Sequence, residues 1–225
     1  MIPLYKKAFV GLLLLLLAMA ALLFIPAGTL HYWQAWTFLT VYFSSSLVIS
    51  LYLLKEDPAL LQRRMRGGPT AEKEPVQKII MSFVSLAFIA LLVVPALDHR
   101  LSWSRMSAAG ALAGDVMVLL GWLGIFLVFR ENSFGSATIE LAPGQTVVST
   151  GPYAWVRHPM YAAALVMLAG IPISLGSWWG LSILAAIMPA LIWRLLDEER
   201  FLAGNLPGYP EYQGRVRYRL IPRIW

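Results

Sequence analysis

The sequence predicts an all-α, polytopic integral membrane protein, with four spanning helices, a C-terminal helical hairpin and cytoplasmic segments. Of its 225 residues, 59% are hydrophobic and 13% are charged, whereas soluble domains average about 45–50% and 25%. Residues 8–27 carry no charge, and such a run is long enough to cross a hydrocarbon core of roughly 30 Å. These observations exclude a soluble enzyme, a disordered chain and a DNA-binding domain.

Each spanning helix is predicted from an apolar run between polar residues. The first run continues past the roughly 7–15 apolar residues of a signal peptide, so we expect a retained helix. Two shorter runs around Gly176-Ser177 predict a tight hairpin whose first arm barely spans the bilayer. The predicted spans are about 8–27, 35–54, 79–97 and 106–129, and the hairpin arms are 160–175 and 178–196.

The basic residues predict the orientation. With a cytoplasmic N-terminus, the segments 1–7, 55–78, 130–159 and 194–225 face the cytoplasm and hold 16 of the 18 Lys and Arg. This asymmetry is what the positive-inside rule expects. We therefore expect a multi-pass protein with both termini in the cytoplasm, in the plasma (inner) membrane of a prokaryote.

Several kinds of site are unlikely from composition. The chain has no cysteine and three dispersed histidines, which argues against a metal centre. Its net charge of +6 follows from basic loops and does not indicate a nucleic-acid partner.

We expect one membrane domain, with four spans in 1–129 and the chemistry in 130–225. The basic stretch 58–66 is interpreted as an amphipathic piece on anionic lipid.

A polar motif precedes the first hairpin arm. In Arg157-His158-Pro159-Met160-Tyr161, Pro159 suits the first position of a helix and His158 its N-cap. Free N–H groups at a helix start favour an anion, and Arg157 adds a planar donor fork. Tyr161 projects from the same side of the first turn. By itself this motif is also typical of an interfacial anchor.

Acidic residues follow the second arm, at Asp197-Glu198-Glu199, and Glu198 lies four residues after Arg194. Acids contribute little to membrane orientation, and the hairpin returns them to the side of His158 and Tyr161. Acids, cations and a helix N-terminus around one spot suit a zwitterionic, sugar-bearing cofactor. A solvated helix end with an Arg–Glu pair is the simpler alternative.

Together these motifs resemble the isoprenylcysteine carboxyl methyltransferase family, which is related to the phospholipid methyltransferases. The resemblance covers about 130–225 and includes Gly151-Pro152-Tyr153, the RHPxY motif, the glutamate pair, Gly208-Tyr209-Pro210-Glu211-Tyr212 and Leu220-Ile221-Pro222. It implies methyl transfer from S-adenosylmethionine to a lipid-like acceptor, most simply a carboxylate.

The resemblance also implies residue roles. Arg194 would orient the acceptor, and Glu198 or Glu199 would hold a polar group of the cofactor or, for an amine acceptor, act as base. The implied cofactor contacts are Gln145, Thr146, Val147, Val148, Tyr153, Arg157, His158, Pro159, Tyr161, Glu198 and Glu199. Relatives often carry Gly-His where this chain has Gly144-Gln145.

Two alternatives remain open. A sterol-type membrane reductase would bind NADPH at the same face, with Arg215, Arg217 and Arg219 meeting its extra phosphate. A non-catalytic scaffold would have a filled space between the hairpin and the segment 130–159.

Overall fold

The computed structural model describes residues 3–225, and within that range every regular element is a helix. Five helices are long and apolar enough to span a membrane, and a shorter apolar helix accompanies them. The eight α-helices are α1 Leu4–Ala27, α2 Trp33–Glu56, α3 Pro58–Arg64, α4 Pro75–Leu101, α5 Ala108–Glu131, α6 Pro159–Ser174, α7 Gly180–Asn205 and α8 Tyr209–Arg215. The predicted all-α, multi-pass fold is confirmed.

The predicted spans and hairpin correspond to α1, α2, α4, α5, α6 and α7, with shifted ends. Helix α7 continues to Asn205, nine residues beyond the predicted end. The glutamates and the arginine that follow the apolar run are good helix formers, so the helix does not stop where the apolar run stops. The arms of the hairpin also separate. Helix α6 packs mainly on α5, and α7 packs on α4 through a cluster of Ala87, Leu91 and Ile187.

Glycines bring the backbones of α5 and α6 into direct contact. A Cβ atom on Gly114 would lie 2.1 Å from the Ser174 nitrogen, and one on Gly121 would lie 2.5 Å from Met167 Cβ. Substituents of that size do not fit between the two helices. The contact fixes α6, and therefore the RHPxY motif at its start, relative to α5.

A buried carboxylate secures the α6–α7 turn at the other end of the bundle. Asp98, at the end of α4, accepts hydrogen bonds from the Ser104 hydroxyl at 2.6 Å and the Ser177 hydroxyl at 2.5 Å. The Tyr32 hydroxyl donates to the Leu175 carbonyl at 2.6 Å. With this turn fixed, the opposite ends of α6 and α7 meet at what we call the basic end, where Lys55, Arg130 and Arg194 lie.

Candidate active site at the basic end

The RHPxY motif begins α6 as predicted. His158 is the N-cap residue and Pro159 is the first helical residue. The rings of His158 and Tyr161 meet edge-on, with centroids 5.6 Å apart. Because α7 returns to this place, the structure brings the glutamate pair to the same two side chains.

Glu199 is the centre of a buried cluster, the Glu199 cluster, formed with Arg157, His158 and Arg219. Its Oε1 accepts from Arg157 Nε at 2.6 Å and lies 3.3 Å from His158 Nε2, while Oε2 accepts from Arg219 Nε at 2.8 Å. Both carboxylate oxygens are therefore used within the protein. The side chains of Glu199 and Arg157 are each only 6% exposed, so water contributes little to solvating either charge.

The Glu199 cluster holds the C-terminal tail against the start of α6. Arg157 Nη1 donates to the carbonyls of Val216 and Arg217 at 2.9 and 3.0 Å. The backbone N–H groups of Arg157 and His158 donate to the carbonyls of Tyr218 and Arg219, each at 2.9 Å. Arg157 therefore uses Nε and Nη1 within the protein, which gives its guanidinium a structural role.

Glu198 points to a different, partly open place, the Glu198 site. Its Oε2 accepts a hydrogen bond from the Tyr161 hydroxyl at 2.7 Å, and its side chain is half-buried. A carboxylate has about four lone-pair positions, so Glu198 keeps acceptor capacity for a ligand. Of the two glutamates, Glu198 is the one with free acceptor positions for a ligand.

Tyr153 belongs to the surroundings of the Glu198 site. Its hydroxyl accepts from Asn132 Nδ2 at 2.8 Å, and its carbonyl accepts from the Tyr212 hydroxyl at 2.8 Å. Burial raises the pKa of Tyr153 to about 12, and the charge of Glu198 acts in the same direction. The phenol is therefore protonated at neutral pH and remains a hydrogen-bond donor.

Arg194 does not point freely into the Glu198 site. Its Nη1 donates to Gln77 at 2.7 Å, and its Nη2 donates to the Ala137 carbonyl at 3.1 Å. Nη2 also lies 2.7 Å from a carboxylate oxygen of Glu72. The two groups form an ion pair, but their geometry is not that of a hydrogen bond. Gln77 in turn donates to Asp197 at 2.7 Å. The predicted acceptor-orienting arginine is thus paired with α4 and the loop before it.

The connecting segment, residues 132–158 between α5 and α6, places its four predicted residues in different surroundings. Gln145 Oε1 accepts from the Ala142 N–H at 2.9 Å and closes the turn at Gly144. Val147 packs against a hydrophobic cluster of Leu206, Tyr209 and Tyr212. Thr146 is exposed and Val148 is half-buried. Their cofactor contacts remain predictions.

A groove of about 630 Å³ lies between α7, the start of α4 and residues 139–141. It touches Glu72 and Gln77, two partners of Arg194, and Asp197, the acceptor of Gln77, but not Tyr161 or Glu198. The groove is therefore separate from the Glu198 site. A scaffold would have the space between the hairpin and the segment 130–159 filled, but the groove leaves this space open beside α7.

The most informative residue missed by the sequence reasoning is Arg64. It ends α3, and its Nη1 donates to the Ser136 carbonyl at 2.6 Å. Arg63 likewise bonds the Ser133 carbonyl. The 58–66 stretch thus packs on the connecting segment instead of lying only on lipid. Nothing in its sequence distinguishes Arg64 from Arg63 or Arg66, so no sequence signal could have identified it.

The arginines named for an NADPH phosphate are also placed by the structure. Arg219 is paired with Glu199, whereas Arg215 and Arg217 are exposed. Among residues 3–225, no group of three or more His, Asp or Glu side chains is arranged to hold a metal ion.

Comparison with known proteins points to one class. Residues 110–206, less than half of the chain, match the phospholipid methyltransferase family. The chain is also similar to the cobalt-zinc-cadmium resistance protein CzcN of Cupriavidus metallidurans, with 28% identity over 163 residues, 71% of this chain and 68% of that protein. The predicted resemblance to membrane methyltransferases is confirmed, and the matched region contains α6, the glutamate pair and all of the connecting segment.

Proposed function

We propose that this relative of the phospholipid methyltransferases transfers a methyl group from S-adenosylmethionine to a lipid-like carboxylate, at the Glu198 site. The observation that carries the proposal is the meeting of Glu198 and Tyr161 at 2.7 Å, inside the matched region. Glu198 has acceptor capacity in a half-buried place, which fits the ammonium or ribose hydroxyls of such a cofactor. The cytoplasmic side of the membrane is the proposed side of the basic end, following the distribution of Lys and Arg.

Within the proposed site the residues have separate roles. Glu198, with Tyr161 and Tyr153, would bind and orient the cofactor. Glu199, Arg157 and Arg219 would hold the tail and the start of α6 in place. Gln145, Thr146, Val147 and Val148 are proposed to border the cofactor from the connecting segment. His158 and Pro159 are proposed to form its edge at the start of α6.

When bound, S-adenosylmethionine would supply an electrophilic methyl group on a sulfonium, with the neutral thioether as the leaving group. A carboxylate is ionised at pH 7, so the protein has no proton to remove. Its contribution is to hold the acceptor oxygen in line with the methyl carbon and to exclude water. A lipid-like acceptor would reach the site from the bilayer, while the cofactor would enter from the aqueous side.

Cofactor binding is the first test, by calorimetry on the detergent-purified protein. We expect binding of S-adenosylmethionine that is weakened by Glu198→Gln and unchanged by Glu211→Gln, a matched change of an exposed acid in α8. NADPH serves as the comparison ligand. Binding of NADPH without S-adenosylmethionine would overturn the proposal in favour of a reductase.

The acceptor is tested next with radiolabelled S-adenosylmethionine and lipid acids or lipid amines. Label transferred to the acids as an alkali-labile ester supports the carboxylate. Transfer only to amines would refute the carboxylate and assign Glu198 as the base that keeps the amine neutral.

A further inference from the structure

Four arginines contact the Glu199 cluster or lie beside the Glu198 site, and three of them are ion-paired within the protein. Arg157 and Arg219 are paired with Glu199, and Arg194 is paired with Glu72. Arg64 is the fourth, and among residues 3–225 it has no carboxylate within ion-pair distance. Its guanidinium lies over the Phe129 ring, 5.4 Å from the centroid.

Arg64 lies close to the proposed chemistry. It and Arg194 donate to the consecutive carbonyls of Ser136 and Ala137, so the two guanidinium groups approach the same piece of chain. Burial lowers the pKa of Arg64, and the charge of Glu198 acts in the opposite direction. An arginine stays charged at neutral pH nevertheless.

A guanidinium held by a carbonyl and an aromatic ring retains donors for a further partner, since it carries five N–H groups. Its planar fork matches the two oxygens of a carboxylate or phosphate. Glu198 acts on Arg64 only from beyond ion-pair distance, so an anionic group of a ligand would complete the pairing of this half-buried cation.

We propose that Arg64 is the anion-binding residue of the Glu198 site and receives a carboxylate or phosphate group of a bound ligand. This inference rests on the proposed function and deepens it by assigning the anionic end of the ligand. The anion belongs either to the methyl acceptor or to the amino-acid part of S-adenosylmethionine. In either case Arg64, and not Arg194, is the arginine that contacts it.

The two sources are distinguished with Arg64→Gln and two cofactor probes, S-adenosylmethionine and its decarboxylated form. If Arg64 holds the cofactor carboxylate, the substitution weakens binding of S-adenosylmethionine about 10- to 100-fold and leaves the decarboxylated form unaffected. If Arg64 holds the acceptor, both cofactor affinities stay unchanged. The KM for an anionic lipid acceptor then rises about 10- to 100-fold, with a smaller change in kcat.

Arg63→Gln is the matched control, because Arg63 precedes Arg64 in the same helix and bonds the same segment through the Ser133 carbonyl. Equal losses in the two variants would show that docking of α3 is the cause and would overturn the inference. Arg64→Lys keeps the charge and loses the fork, so partial recovery of affinity is expected. A wild-type protein that binds S-adenosylmethionine, with Arg64→Gln changing neither affinity nor KM, would overturn the inference alone. A wild-type protein that binds no S-adenosylmethionine would overturn the proposed function as well.

Discussion

Replacing Glu199 with Ala should destabilise the folded protein, whereas the same change at Glu198 should mainly impair ligand binding. The Glu199 substitution removes two charge-assisted hydrogen bonds, at 2.6 and 2.8 Å, each contributing about 1.5–3 kcal/mol. It also leaves the buried Arg157 without a counter-ion. Removing one partner of a buried ion pair costs about 3–5 kcal/mol. This value agrees with the loss expected from the two hydrogen bonds.

For a chain of this length, about 3–5 kcal/mol corresponds to a fall in Tm of roughly 6–20 °C. Thermal unfolding in detergent measures it, and limited proteolysis shows whether the tail beyond α8 is released first. For Glu198→Ala we expect a much smaller fall in Tm, since Glu198 is half-buried and has Tyr161 as its bonded partner. Glu211→Ala, an exposed control, should leave Tm unchanged. If Glu199→Ala kept its Tm and its protected tail while losing cofactor affinity, the division of roles between the two glutamates would be wrong.

Two further outcomes follow from the packing and from a shifted pKa. Gly114→Ala should destabilise the protein by about 3 kcal/mol or more, because its Cβ would lie 2.1 Å from a backbone nitrogen of α6. Gly11→Ala, where nothing lies within 4 Å, should be neutral, and equal Tm values for the two variants would contradict the close packing. For Tyr153, burial raises the folded-state pKa from 10.0 to about 12. The stabilisation that this shift contributes to folding is therefore complete below pH 10 and is lost as the pH rises through 12. Unfolding measured across this range should show a shallower loss for Tyr153→Phe, and an unchanged slope would contradict the assignment.

The helices and the place of the motif were predictable because long apolar runs and a proline at a helix start act locally. The meeting of the glutamate pair with His158 and Tyr161 was also predictable, since a hairpin returns its second arm to the level of the first. Local rules were sufficient for these features.

The partners of individual charges were not predictable. Arg157 is paired with Glu199, whereas Arg194 is paired with Glu72, which lies more than one hundred residues before it in the sequence. Such pairings depend on how α4 and α7 pack, which hydrophobic periodicity does not specify. The importance of Arg64 arises in the same way, from the docking of a seven-residue helix on a distant loop.

The shortness of α6 has a consequence for the surrounding bilayer. Sixteen residues rise about 24 Å, less than a hydrocarbon thickness of roughly 30 Å. Ala163 lies against Gly124, so α6 starts about one turn before α5 ends. A short apolar segment is accommodated by local thinning of the bilayer, so we expect lipid head groups beside α6 to be drawn inward. The polar end of an acyl lipid would then reach the level of Tyr161 and Glu198 while its chains stay in the hydrocarbon.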